Sequence, residues 1–462
     1  MRALRGAAGV VAGLWLAGCG ALAPAGDGGL QDAGELDAGQ DAGPSDAGHD
    51  AGSPRCDAGA RLLTPFITEG GRLRVEVRGE LHAAQFPDNF RWWPVDGGLE
   101  ARAAWGSTGH LHAGVRYACN DGEAATELHL AIAPVAWKKL ADWGPDAGPS
   151  MREHTLFWIP DTAPDTLWLQ GGYRPGNYAI LKDRWTFDLA DAGGWTRQDT
   201  LDAGPEATGG RLAPAGVPGE ALYFAGAYAN DDYRYSLWRW SESRGFSPVP
   251  TADEAHAPFG SLGSFARDVT HQRWVSFGGY DGTTMRFDVQ GLTLDDAGVA
   301  HWEKLSTDGA GPTGRYGFSW AVDDETRSLV VASGGQWPTQ SDPVNPATDT
   351  WALELGVSPP RWRQLTSTLP TQGWRNGCQA LDPDGHRLFV FGGTPDQATS
   401  VSELRVLELD PGAERWWTVA LPDGPTPRSS CTAVWDARRH RLVLGFGNDL
   451  FGAYTDLWAL QL

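Results

Sequence analysis

"RLFVFGGTPDQATSVSELRVLELDPGAERWWTV", residues 387–419, decides how the chain folds. Four apolar residues, Leu388 to Phe391, run straight into Gly392 and Gly393. A polar loop and an alternating stretch follow, and then Trp416 and Trp417. A strand with one wet face alternates, so a continuous apolar run marks a strand covered on both faces. Paired glycines let the backbone turn sharply and pass a neighbour without a Cβ. The same text recurs as "LWLQGGY" (167–173), "LYFAGAY" (222–228), "WVSFGGY" (274–280), "VVASGGQ" (330–336) and "LVLGFGN" (442–448). Aligned on Gly172, Ala227, Gly279, Gly335, Gly393 and Gly447, the copies lie 52 to 58 residues apart.

Each copy has a strand before the doublet, usually ending in a turn aspartate (Asp161, Asp268, Asp323, Asp382, Asp436). An alternating strand follows the doublet, and an aromatic (Trp195, Phe246, Trp302, Trp362, Trp416) opens the last strand. Four strands per unit at this period mean propeller blades. The aromatic is a plug between neighbouring blades. The sixth unit has no aromatic strand before Leu462, whereas "VAWKKL" (135–140) has no doublet before it. The strand of Trp137 is therefore expected to complete the last blade, giving a closed all-β ring over residues 134–462.

The doublet, alternating strand and tryptophan resemble the Kelch repeat, which implies a six-bladed β-propeller. In Kelch propellers arginines at the starts of inner strands border the channel mouth, and the resemblance carries that role to Arg315, Arg375 and Arg428. Gly260 stands at the third blade's arginine position, and Arg152 and Arg211 align loosely in the first two. Loops after the doublets open on the same rim and bring Tyr173, Tyr178, Tyr228, Asp231, Tyr280, Trp337, Phe451 and Tyr454. Such a rim suits a protein, peptide or glycan ligand. The resemblance also includes copper radical oxidases and sugar epimerases. The oxidase site takes two histidines, a tyrosine and a cysteine-linked tyrosine; the ring's histidines (His154, His256, His271, His301, His386, His440) do not make that set, and no cofactor or metal is expected. A non-catalytic binding propeller is the leading expectation, with an extracytoplasmic, epimerase-like carbohydrate-active enzyme as the alternative.

Residues 62–133 alternate with period two between Gly/Asp turns, as in "RLRVEV" (72–77), which indicates an antiparallel sandwich. Tyr117 two residues before Cys119 resembles the late strand of an immunoglobulin-like or PKD-like domain. The partner cysteine of that family is replaced here by Val75 or Val77. His110 and His112 lie on one strand face, a possible metal pair read here as exposed face residues.

Residues 1–19 have a basic start, a short apolar run and "LAGC". They resemble a bacterial lipoprotein signal, with Cys19 lipidated and the chain held to the membrane by that anchor. Gly20 in place of aspartate implies outer-membrane sorting. Residues 20–61 hold six Asp-Ala-Gly triplets between Asp32 and Gly59. Such a segment has little to bury and is expected to be a disordered tether, with a reach of roughly 35 Å. The net charge of −21 excludes a nucleic-acid binder, which needs a basic footprint. Of the remaining cysteines, Cys56 and Cys119 are expected to pair, and Cys378 and Cys431 to be free buried thiols.

Overall fold

The computed structural model describes residues 59–462 except 64–65, 120–121, 143–147, 177–178, 192, 199–204, 206–207, 230–231, 253–260, 282, 337–343, 367 and 397. Every named element is a strand. The chain forms two compact units, divided between Pro134 and Val135.

The smaller unit is two four-stranded sheets. One orders Ala60–Leu62, Arg72–Val77, Gly98–Ala103 and Phe90–Val95; the other orders Phe66–Thr68, Gly122–Ala133, Gly109–Cys119 and Glu80–Gln85. Phe66–Thr68 runs parallel to the last strand. The inward residues of both sheets, among them Val75, Leu99, Val115 and Leu130, form one core.

The larger unit is propeller-like: among the described residues it has six antiparallel sheets in chain order, five of four strands and the third of five, in which Ser261–Gly263 and Ala266–Asp268 both pair with Arg273–Tyr280. The middle strands Ser328–Ala332, Arg387–Phe391 and Arg441–Gly445 are buried at every position, as their apolar runs require. In the sixth sheet the outer strand is Ala136–Ala141, with Trp137 opposite Leu460, so the two ends of this unit meet in one sheet.

Two sets of backbone bonds join consecutive sheets. Near the start of each inner strand one residue has positive φ: His154, Gly209, Leu262, Gly317, Asn376 and Ser430. Gly209 N–H donates to the His154 carbonyl, His154 to Ser430, Ser430 to Asn376, Asn376 to Gly317, and Gly317 to Leu262. The second set starts from the doublets. Gly279, Gly334, Gly393 and Gly447 donate to the carbonyls of Arg315, Trp374, Arg428 and Arg152 in the next sheet. A Cβ on Gly447 would sit 2.5 Å from the Ser429 carbonyl, so that turn has no room for a side chain. In the fourth sheet the left-handed pair is Ser333–Gly334, with φ of 58° and 98°. Gly335 lies one position further along, opposite Tyr316. The alignment on Gly335 is therefore one residue late: the serine occupies the first place of the doublet.

The aromatic of each outer strand reaches the preceding sheet. Ring centroids are 4.9 Å apart for Trp362 and Phe277, 5.8 Å for Trp302 and Phe224, 5.5 Å for Trp137 and Phe391, and 6.0 Å for Trp195 and Phe446. Three turn aspartates, Asp268, Asp382 and Asp436, accept from the arginine that opens the next strand, at 2.8 to 3.0 Å.

Cys378 and Cys431 are disulfide-bonded, with Cα atoms 5.3 Å apart. The expectation of two free thiols is wrong. Left-handed residues two and one positions earlier draw the fifth and sixth inner strands within bridging range. Cys119 is also disulfide-bonded; Cys56, its expected partner, lies outside the described residues, as do Cys19 and the tether up to residue 58.

His386, in the turn of the fifth sheet, has its Nε2 2.8 Å from Asp323 Oδ1 of the fourth sheet. Burial works against its charge, but the bond to Asp323 and the nearby Asp410 carboxylate, 4.0 Å from Nδ1, outweigh burial and raise its pKa to about 9. An unfolded histidine titrates near 6.5. The charged ring therefore stabilises the fold fully below about pH 6.5, and this contribution is lost as pH rises through about 9. The melting temperature is expected to fall by several degrees across that window in the wild type, and scanning calorimetry of His386→Gln should show that fall largely removed.

Candidate functional site

At the starts of the inner strands two successive positions have different roles, the first a buried clamp and the second a collar that is itself buried (Glu153, Tyr316, Arg375, Ser429). Arg152, Arg315 and Arg428 hold the first position and are fully buried. Arg152 donates to both carboxylate oxygens of Asp183 at 3.0 and 2.9 Å, Arg315 to those of Asp349 at 2.6 and 3.2 Å, and Arg428 to those of Asp456 at 2.6 and 3.1 Å. Each also donates to the carbonyl of the first doublet residue: Gly171, Ser333 or Phe446. Trp185, Trp351 and Trp458, two residues beyond each aspartate, donate to the same carboxylates. Burial works to raise these carboxyls, but the arginine and tryptophan bonds hold all three below the usual range. Arg315 and Arg428 are therefore internal clamps. Their place at the channel mouth is corrected: their donors are spent on the aspartate and the doublet.

The fifth sheet exchanges the pair. Trp374 stands at the clamp-arginine position, and Arg405 stands two residues after Glu403, where the first, fourth and sixth sheets place tryptophan. Arg405 donates to Glu403 at 2.6 Å and to the Gly392 carbonyl at 2.8 Å, and stacks 4.5 Å from the Trp374 ring. "QGW…ELR" is thus "TGR…DTW" with arginine and tryptophan swapped. Arg375 consequently belongs to the next register position, shared with Glu153, Tyr316 and Ser429. Each of these four pairs by an isolated bridge with the residue after a doublet: Thr394, Tyr173, Gly335 and Asn448 respectively.

These positions form a polar and aromatic collar. Arg375 donates to the Tyr316 hydroxyl at 3.4 Å and to the Asp396 carbonyl at 3.2 Å. Tyr173 donates to Glu153 at 2.6 Å and stacks on His154 with centroids 5.3 Å apart. Burial pushes the Glu153 carboxyl up, partly opposed by the Tyr173 bond. Tyr173, Leu262, Tyr316 and Val344 share one apolar cluster, with Tyr280 packed against it. Residues of the first, third and fourth sheets thus meet across the centre. Burial, with the charge of Asp281, also raises the Tyr280 pKa.

Tyr454 lies 4.3 Å over the Arg428 guanidinium and donates to Asp449 at 2.6 Å. The other Asp449 oxygen accepts from the Phe451 and Gly452 amides. This braced turn presents Phe451 95% exposed. Of the remaining candidates, Tyr228 lies in the strand Glu220–Ala229, where the structure describes its backbone only. Tyr178, Asp231 and Trp337 lie outside the described residues. Sequence reasoning missed Glu153 and Tyr316. The signal available was the Ser/Thr-x-Arg and Asp/Glu-x-Trp pairing, which marks the clamp and hence the position after it.

No family model matches the chain. Among curated proteins, putative adagio-like protein 2 of Oryza sativa subsp. japonica is 31% identical over 135 residues, 28% of this chain and 20% of the relative. Adagio-like protein 1 of the same organism is 32% identical with the same coverage. The chain thus spans about a fifth of these relatives' length. Among solved structures, one titled "Structure of YjhT" has a TM-score of 0.49 at 12% identity, covering 69% of this chain and 97% of that one. A fungal alcohol oxidase in complex with copper has a TM-score of 0.46 at 11% identity, covering 70% and 76%.

Removing one clamp partner strands a buried charge, at a cost of about 3–5 kcal/mol. Asp456→Ala should show that loss in denaturant unfolding, and the double variant Arg428→Met/Asp456→Leu should recover much of it.

Proposed function

We propose that the chain is a membrane-tethered, non-catalytic binding propeller of the Kelch kind. In this reading the lipid anchor is on Cys19, an immunoglobulin-like domain follows the tether, and a protein, peptide or glycan ligand sits at the channel mouth. The observation that carries it is the collar of Arg375, Tyr316, Glu153 and Ser429, flanked by Tyr280, Tyr454 and the exposed Phe451. It combines a cation, hydroxyls and aromatic faces on a braced scaffold, which is how a site is pre-organised for a polar ligand with flat surfaces. The strand order of the small unit supports the immunoglobulin-like part. Its two sheets follow the A-B-E-D and G-F-C arrangement, with Tyr117 and Cys119 on the F strand. The internal repeat and the ring of inter-sheet bonds support the Kelch part.

A second reading, an epimerase-like carbohydrate-active enzyme, has one observation in its favour. Glu153, whose carboxyl burial pushes up beside Tyr173 and His154, is the type of group that serves as a general acid or base. The copper chemistry of the oxidase branch lacks its donor set: among the described residues of the ring unit both cysteines, Cys378 and Cys431, are bridged, leaving no thiol for a tyrosine cross-link.

Glycan and peptide arrays probed with residues 59–462 should give a ligand whose binding falls at least tenfold in Arg375→Ala and several-fold in Phe451→Ala. Ligand binding unchanged in both variants would remove the collar as the site, and turnover detected by mass spectrometry and abolished in Glu153→Gln would replace the binding reading with the enzymatic one.

The anchor is tested separately. Cys19→Ser should move the protein from the membrane fraction to the soluble fraction; a wild type that carries no lipid on Cys19 by mass spectrometry contradicts it.

A further inference from the structure

We propose that His112, Glu127 and His129 form a divalent transition-metal site on the outer face of the small unit. The hairpin of Gly109–Cys119 and Gly122–Ala133 sets His112 directly opposite His129, and Glu127 opposite Gly114. Residues two apart on a strand share a face, so Glu127 stands beside His129 and diagonal to His112. All three are exposed, and one donor atom of each lies within 4.8 Å of the other two. The His112 Nδ1 is 3.0 Å from Glu127 Oε1, and the two imidazoles meet edge to face with centroids 4.5 Å apart. Gly114 leaves open space over the carboxylate: a Cβ built there meets nothing within 4 Å.

Two imidazole nitrogens and one carboxylate oxygen are the donor set zinc takes where a coordination position stays open. Imidazole also suits copper and nickel. Side-chain rotation of exposed residues is enough to bring the three donors to metal–ligand distance. The fourth position faces solvent, at the edge of an open groove lined by Gln85, Phe86, Asp88 and Thr126. A metal held there has room for a water or a donor from a second molecule. An ordinary histidine–carboxylate pair is the alternative, and His301 with Asp295 provides it for comparison: 3.1 Å apart, exposed, with no third donor grouped with them among the described residues.

The test is calorimetric titration of the chelator-treated protein with zinc chloride at pH 7.5, repeated at pH 5.5, where protons compete for the imidazoles. One equivalent should bind at pH 7.5 and much less at pH 5.5. His112→Gln and His129→Gln, which keep size and polarity on an exposed face, should each weaken binding at least tenfold, and His301→Gln should leave it unchanged. With copper chloride, the electron paramagnetic resonance spectrum should show nitrogen coupling that disappears in the double variant. Absence of one-to-one binding, or binding undiminished in the His112→Gln/His129→Gln variant with an unchanged melting curve, overturns the proposal.

Discussion

The hydrogen bond from a left-handed residue of one inner strand to the same place in the preceding strand organises the larger unit. An L-residue reaches positive φ at a steric cost, so the places that must adopt it are few and fixed. Here they recur once per sheet, and all but Leu262 of the third sheet turn an amide across the inter-sheet boundary instead of along their own strand. The bond from His154 to Ser430 and that from Gly447 to Arg152 cross from the sixth sheet to the first. The first and sixth sheets are therefore joined by the same kinds of contact as consecutive sheets in between. The doublets sit against these inter-sheet carbonyls, and the buried arginines add bonds to the carbonyls of the doublets themselves.

That constraint explains what could be read from the sequence and what could not. The doublets, the apolar runs and the aromatic of each outer strand are local signals, each with a single physical cause. They led to the right strand order, including the pairing of Trp137 with Leu460. The arginines failed for a reason of register. One position of an inner strand holds the buried clamp and the next belongs to the collar, so an error of one residue exchanges the two. Arg315 and Arg428 are at the clamp position, and Arg375 is at the collar position only because Trp374 took the clamp place. Gly335 misled in the same way, since Ser333 tolerates a conformation usually left to glycine.

Long-range pairings were less legible. The Cys378–Cys431 bridge depends on how far two inner strands converge, which no spacing in the chain reveals. The grouping of His112 with His129 depends on hairpin register. His110 and His112 are visible together in the sequence, yet the structure pairs one of them with a residue on the next strand. Alternation showed that each strand has a wet face; it did not say which wet residues share one patch.

The strand Ala136–Ala141 is made before the rest of the larger unit, and its partner Leu457–Gln461 is made last. During synthesis the strand Ala136–Ala141 has no native neighbour until Leu457–Gln461 is made. The sixth sheet is thus the step with the greatest sequence separation, and topologies of this kind fold slowly because distant segments must meet before either is rewarded. A truncation that spares five whole sheets would still leave the outer edge of one and the inner strand of another without their bonds. Integrity of the larger unit is accordingly read out where its first and last described strands pair.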